Sequence, residues 1–435
     1  MRSGLYGHMR GISWSRAAVP ALAACLALLL SAGGARAAVI PDSCGAWSTV
    51  NSAATANIAL PDTAATYWTT GFKYRRGLRL TVSGEYLTAR YMSFNVYDEG
   101  GGSFTVPDPA RRGGTIGSSL PDFRIRPRAG SVNPYTDPAG PRARKRFRVV
   151  LERNPSSARA NSMPIIPRQG QHASRKEYLI LRAYRLGARG TLPRVSWRVG
   201  NGRVHRVRTC GSPGGSSARP NGNPGSCVGG VCTGNVEFRR LSASVTNTQF
   251  PNADTAYVTA RVSPPAGDDV VVVRGLAPTA PTGRRPVGGW PNPSFQVRYW
   301  SMCNTVLRSP FPAVVNGSGA STSLGCRNND DTARTSDDRY TYVLAREDQR
   351  AEVDRIRGSR PELTFLPFSE DYPAVDHMLV LRNMLPADFA NSTFAVPQPG
   401  TPDETRAAMG DYYPTGGVCS LTTLEQSGPE ACLPP

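Results

Sequence analysis

Apolar and polar positions alternate along short stretches of this chain, and the stretches come in two sets. LRLTVSGEY (residues 78–86) alternates residue by residue, as a half-buried strand does. ARYMSFNVYD (89–98) follows it, and Glu99 with three glycines closes it as a turn. RFRVVLERN (146–154), MPIIP (163–167) and EYLILRAY (177–184) are further strands, rich in β-branched and aromatic residues and flanked by breakers. Then the pattern restarts. FPNADTAYV (250–258) echoes LPDTAATYW (60–68), and DDVVVVRGL (268–276) takes the place of LRLTVSGEY. VRYWSMCNTV (297–306) echoes ARYMSFNVYD, and RYTYVLAR (339–346) echoes RFRVVLER. TFLPF (364–368) echoes the MPIIP region, and HMLVLRNM (377–384) echoes EYLILRAY.

Echoed blocks in one order predict an internal duplication. Short strands with breakers between them predict an all-β fold: two tandem, internally duplicated antiparallel β-sandwich modules of jelly-roll type. One helix signal stands out. Thr401-Pro402-Asp403-Glu404 is a capping box with proline in the first turn, opening a short C-terminal helix to Met409. The predicted organisation is a signal segment over 1–37, a first module over 38–200 and a Gly/Ser/Pro-rich linker over 201–245. A second module follows over 246–390, then a tail over 391–435.

Composition adds a compartment. Arg2, Arg10 and Arg16 precede an apolar run, and Ala35-Arg36-Ala37 suits signal cleavage. Secretion is the expected route. Leu22-Ala23-Ala24-Cys25 offers lipid anchoring through Cys25 as an alternative. After residue 37 no apolar run is long enough to span a bilayer. Eight cysteines remain there: Cys44, Cys210, Cys227, Cys232, Cys303, Cys326, Cys419 and Cys432. An even number in an exported chain predicts disulfides. Proximity pairs Cys303 with Cys326 and Cys419 with Cys432, and leaves the others open. The chain carries a formal net charge of +19, nearly all of it arginine. Such a charge suits an anionic cell-wall polymer or glycan as partner. Nucleic acid is not expected, because no recognisable binding motif is present.

Met92-Ser93-Phe94 with Tyr97-Asp98, the turn at Ile166-Pro167, and Leu179-Ile180-Leu181-Arg182-Ala183-Tyr184 form a series of short motifs. Trp300-Ser301, Leu366-Pro367 and Leu379-Val380-Leu381-Arg382 form a second series. Both resemble a bacterial family known only as a domain of unknown function, the 1214-type. Its members carry an aromatic-Trp-Ser strand ending in Tyr-Asp, a Trp-Leu-Pro turn, and a Leu-x-Leu-Arg-x-Tyr strand. Asn304, Thr305 and Met384 depart from that pattern, and neither turn has the tryptophan. The resemblance implies a jelly-roll-like sandwich and no particular reaction or ligand.

Arg90, Arg182, Arg298 and Arg382 are the candidate anion-binding residues. They stand at echoed positions on strands with apolar faces. A guanidinium there must find a carboxylate, because a buried unpaired charge is expensive. That carboxylate is either a ligand's or an internal one such as Glu85 or Asp98. Hydrolase motifs are absent: there is no G-x-S-x-G, and His172, His205 and His377 lack metal-ligand spacing. No cofactor and no metal are expected. The acid-rich stretch 326–339 (CRNNDDTARTSDDR) lacks calcium-loop spacing and reads as a turn. Arg142, Arg144, Lys145, Arg146 and Arg148 form the densest basic run. Two functions follow. One is a non-catalytic surface or secreted protein that binds an anionic or glycan partner. The alternative is an extracellular polymer hydrolase with paired carboxylates in the inter-module cleft.

Overall fold

A computed structural model describes residues 39–40, 44–137, 140, 143–167, 176–187, 190–210, 236–243, 250–286, 288–318 and 321–435. The first half supplies β1 (Thr49–Asn51), β2 (Ala65–Lys73), β3 (Leu78–Glu85), β4 (Ala89–Tyr97), β5 (Thr105–Pro107) and β6 (Thr115–Gly117). It continues with β7 (Ser119–Pro121), β8 (Arg146–Glu152), β9 (Ser162–Pro164), β10 (Lys176–Leu186), β11 (Arg194–Val199) and β12 (His205–Arg206). The second half supplies β13 (Thr255–Val262), β14 (Asp269–Leu276), β15 (Val297–Val306), β16 (Val315–Asn316) and β17 (Ser323–Leu324). It ends with β18 (Cys326–Asn328), β19 (Arg339–Ala345), β20 (Leu363–Pro367), β21 (His377–Pro386) and β22 (Thr415–Ser420).

Each half folds as two facing sheets. In the first half these are β1-β2-β10-β4-β7 and β12-β11-β3-β8-β9. In the second they are β13-β21-β15-β18 and β20-β19-β14-β22. The echoed blocks occupy matching places: β4 and β15 each lie beside a long central strand, β10 and β21. Met92, Phe94, Val149, Leu151, Leu179 and Leu181 fill the first sandwich. Trp300, Met302, Tyr342, Leu344, Leu379 and Leu381 fill the second. Period-two alternation puts each set on one face of its strand, where apolar burial contributes roughly 25 cal/mol per Å².

Most strand pairs are antiparallel. One pair in each half is parallel, β8 with β9 and β19 with β20, where an all-antiparallel module was expected. A parallel pair needs a crossover, and in the second half the crossover is helix α1 (Arg350–Arg357). Val353 and Ile356 are its buried positions. The capping box forms as the sequence predicts. Thr401 accepts from the Glu404 amide, and α2 runs Pro402–Met409. A third short helix, α3 (Leu421–Ser427), follows β22. β22 itself pairs with β14, so the stretch after residue 390 completes the outer sheet of the second sandwich.

Cys303–Cys326 and Cys419–Cys432 are bonded, and Cys44–Cys210 forms a third disulfide. Cys227 and Cys232 lie outside the described residues, as do Cys25, the signal segment and His172.

β4 and β15 are buried at every position. A strand is covered on both faces only when both faces have something to pack against. One face of each meets its own sandwich core. The other meets the opposite half: Tyr91, Tyr97, Ile180 and Tyr184 pack with Tyr299 and Met384. The Tyr184 and Tyr299 rings meet edge-on at 5.1 Å. The two inner sheets therefore face each other.

His377 opens β21 and is fully buried. Its Nε2 accepts from the Ser369 amide at 3.2 Å, and burial pulls its pKa down to about 4. The unfolded chain takes up this proton near pH 6.5 and the folded chain only near pH 4, so stability falls as pH drops between them. The slope from this group is about 1.4 kcal/mol per pH unit. Urea midpoints at pH 7, 5.5 and 4.5 are expected to fall less steeply in His377→Gln than in the parent chain. Parallel pH profiles would exclude this assignment.

Candidate functional site

The four arginines separate into two pairs. Arg90 and Arg298 stand near the starts of β4 and β15 and are fully buried. Each reaches into the opposite half. Arg298 Nη1 donates to Asp122 at 2.8 Å, and its Nε and Nη2 donate to the Arg90 carbonyl. Arg90 Nη2 donates to both Asp330 oxygens, at 2.9 and 2.8 Å, and its other nitrogens reach the Pro281 and Gly283 carbonyls. Asp122 follows β7 and Asp330 follows β18, so the two ion pairs mirror each other. Burial lifts the Asp122 carboxyl to about 6, with Arg298 and the Met92 amide pulling the other way. These arginines fasten the halves together. Their carboxylates are not the expected ones. Glu85 is exposed beside Arg146, and Asp98 caps its own turn at Gly102. Asp331 joins Asp330 in holding Arg185, so this part of the acid-rich stretch also serves the interface.

Arg182 and Arg382 sit at the middle of β10 and β21, facing a pocket of about 550 Å³ between the inner sheets. Ile58, Leu60, Ile180, Leu241, Val380 and Phe394 give it apolar walls, and tyrosines from both halves join them. Tyr67 lies under Arg182 and Tyr257 under Arg382, at 5.2 and 5.5 Å. These are directly opposed cross-strand neighbours in each sheet.

The arginines differ in what holds them. Arg382 Nη1 lies 3.3 Å from Asp62, which also accepts from Tyr299 at 2.8 Å and Ser301 at 2.7 Å. Asn252 takes the place of Asp62 on the other side. Asp62 accepts from the Ala64 amide and Asn252 from the Asp254 amide, the same two-residue turn. Tyr299 donates to Asp62, whereas on the other side the Asn252 amide donates to Tyr91, whose hydroxyl proton goes to Asp254. Arg182 thus has no carboxylate in contact with it among the described residues, although the buried Asp254 acts on it without touching it. Its Nη2 reaches the Tyr97 hydroxyl and the Phe250 carbonyl, while its Nε is buried without an acceptor. Arg240 also lines the pocket, but its Nη1 holds the Phe394 and Val396 carbonyls.

Among the described lining residues there is no Asp or Glu. The nearby acids Asp62, Asp122 and Asp330 are bound to arginines, and Asp254 accepts from Tyr91 and Ser119. Two opposed carboxylates, the requirement for glycoside cleavage, do not meet here. Asp62, Cys303 and Cys326 lie close enough to share a cation, but both sulfurs are in one disulfide. Sequence reasoning found Arg182 and Arg382. It missed the tyrosines beside them and the aspartate–asparagine exchange, although that exchange is visible in LPD against FPN.

No family model and no curated protein matches the chain. Among solved structures it is similar to an uncharacterised protein of Burkholderia cenocepacia, with 12% identity over 87% of this chain and 83% of that one and a TM-score of 0.47. It is also similar to the VPA0106 protein of Vibrio parahaemolyticus, with 10% identity over 84% of this chain and 91% of that one and a TM-score of 0.36. Likenesses this distant bear on neither fold nor function.

Proposed function

We propose that this is an exported, non-catalytic binding protein that holds an anionic ligand between its two sandwiches. The observation that carries the reading is Arg182: a guanidinium 5% exposed, facing a pocket, with no carboxylate among the described residues. A buried charge without a partner is costly, and a ligand's anion would offset that cost. Walls that are mainly apolar and tyrosine-rich, with scattered threonine, asparagine and glutamine groups, suit a small-molecule site. Export is supported by the signal-like N-terminus, the three disulfides, and the absence among the described residues of any helix long and apolar enough to cross a membrane.

The test compares the parent chain with Arg182→Gln. Calorimetric titration with inorganic phosphate, glucuronate and octanoate is expected to show binding of at least one to the parent. R182Q should bind that anion at least about tenfold more weakly, the loss of one charge-assisted hydrogen bond. Its urea midpoint should stay within about 1 kcal/mol of the parent, because the substitution also removes a desolvated charge. Binding unchanged in R182Q, or no anion bound by the parent, would remove the reading.

A further inference from the structure

The two halves of the pocket are built alike, so a symmetric pocket would present two free guanidiniums and select a doubly charged ligand. This pocket is not symmetric. The Nε of each arginine is buried without an acceptor, but Asp62 gives Arg382 a carboxylate in contact, whereas Asn252 stands at the matching place beside Arg182. Arg240 has no carboxylate either among the described residues, but it is only half-buried, so water screens its charge, and its Nη1 holds backbone carbonyls. One buried positive charge, Arg182, is therefore left for a ligand. Around it stand Ile180 from β10, Val380 from β21, and Ile58, Leu60, Leu241 and Phe394 from the connecting segments. A second ligand charge placed against that apolar part of the wall would be stripped of water with no unpaired buried cation to receive it. A sugar's hydroxyls would face the same loss along most of the wall.

We infer that the pocket takes an amphipathic monoanion, an aliphatic monocarboxylate, with its carboxylate on Arg182 and its hydrocarbon body along the apolar wall. This rests on the binding role proposed above and narrows it to one ligand class. The carboxylate meets the Arg182 guanidinium where it lines the pocket, and one unit of charge meets one unit of charge. Asn252 is the residue that sets this selectivity, because aspartate at the matching place is what closes the other side.

The test uses the full chain without its signal segment and calorimetric titration with hexanoate, octanoate and decanoate. Octanedioate, 1-octanol and glucuronate serve as comparisons. Affinity is expected to rise about fourfold per added methylene, from ~0.8 kcal/mol per buried CH₂, until the pocket is full. Octanedioate and 1-octanol should each bind at least about tenfold more weakly than octanoate, one lacking a site for its second charge and the other lacking the anion. Asn252→Asp should weaken octanoate at least about tenfold by giving Arg182 an internal partner. If N252D fails to fold, the chain-length series and the alcohol comparison decide alone, since both use the unaltered protein. Octanedioate binding as tightly as octanoate would overturn the single-charge assignment, glucuronate binding as tightly would overturn the aliphatic one, and either would leave an anion-binding role standing. Octanol binding as tightly as octanoate, or no binding of any anion, would overturn both.

Discussion

Arg298→Met is expected to destabilise the protein by about 3–5 kcal/mol near pH 7.5, seen as a lowered urea midpoint. The reason lies in what remains. Arg298 and Asp122 are both fully buried, so the methionine variant leaves a carboxylate in the interface facing only the Met92 amide and neighbouring backbone. Asp122 already has its pKa raised to about 6 with Arg298 present. Without the guanidinium it must rise further, so the folded variant holds a proton that the unfolded chain has released. The sign follows: the gap between variant and parent narrows as pH falls from 7.5 toward 5, because protonated Asp122 needs no cation. Arg298→Met with Asp122→Asn should recover at least half of the loss, since a neutral pair leaves no uncompensated charge. A gap independent of pH, or a double variant worse than the single, would mean that Arg298 acts through packing on Tyr135 and Trp290 instead.

The mirrored pair, Arg90 with Asp330, should be the weaker latch. Arg90 is as buried as Arg298, but the Asp330 side chain keeps 11% exposure and also serves Arg185. Partial hydration lowers the penalty for leaving either partner alone. The two halves are thus held by a dry bridge, a wetter one, and a tyrosine-lined interface between them.

Much of this was legible in the sequence because burial writes its own periodicity. The echoed strands fell where alternation and β-branched content put them. The capping box placed α2, and proximity placed two disulfides. The inner interface was harder to see. Tyr91, Ser93, Asn95 and Tyr97 alternate with Met92, Phe94 and Val96. A polar-tinged face usually means solvent, whereas here it means a second sheet carrying similar residues. The arginine partners were missed for a related reason. Asp122 and Asp330 lie in loop sequence that no periodicity marks, and their bonds run between halves. One signal was available: Asp330 follows Asp122 at the same spacing as Arg298 follows Arg90. Helix α1 was missed because only Val353 and Ile356 of its residues face the core. That is too little for a helical period to stand out among charged neighbours.

Trp300 carries the other large expectation. It is fully buried at the centre of β15, tilted against Tyr340 at a ring distance of 5.4 Å. Trp300→Ala should cost about 3–5 kcal/mol, the loss of an aromatic side chain plus the cavity it leaves. Trp300→Phe divides that cost into parts. The phenyl ring keeps most of the apolar contact, and the substitution also removes an indole N–H that is buried without an acceptor among the described residues. Relieving such a donor is worth about 1–3 kcal/mol, comparable with the cost of the lost volume. The phenylalanine variant should therefore unfold within about 1.5 kcal/mol of the parent. The matching position in the first half is Met92, whose sulfur accepts from the Leu87 amide at 3.4 Å, so the β4–β10 arrangement works without an N–H donor there. Equal losses for the alanine and phenylalanine variants in urea unfolding would show instead that the indole N–H has a partner in solution, and that this face of the second core is wet.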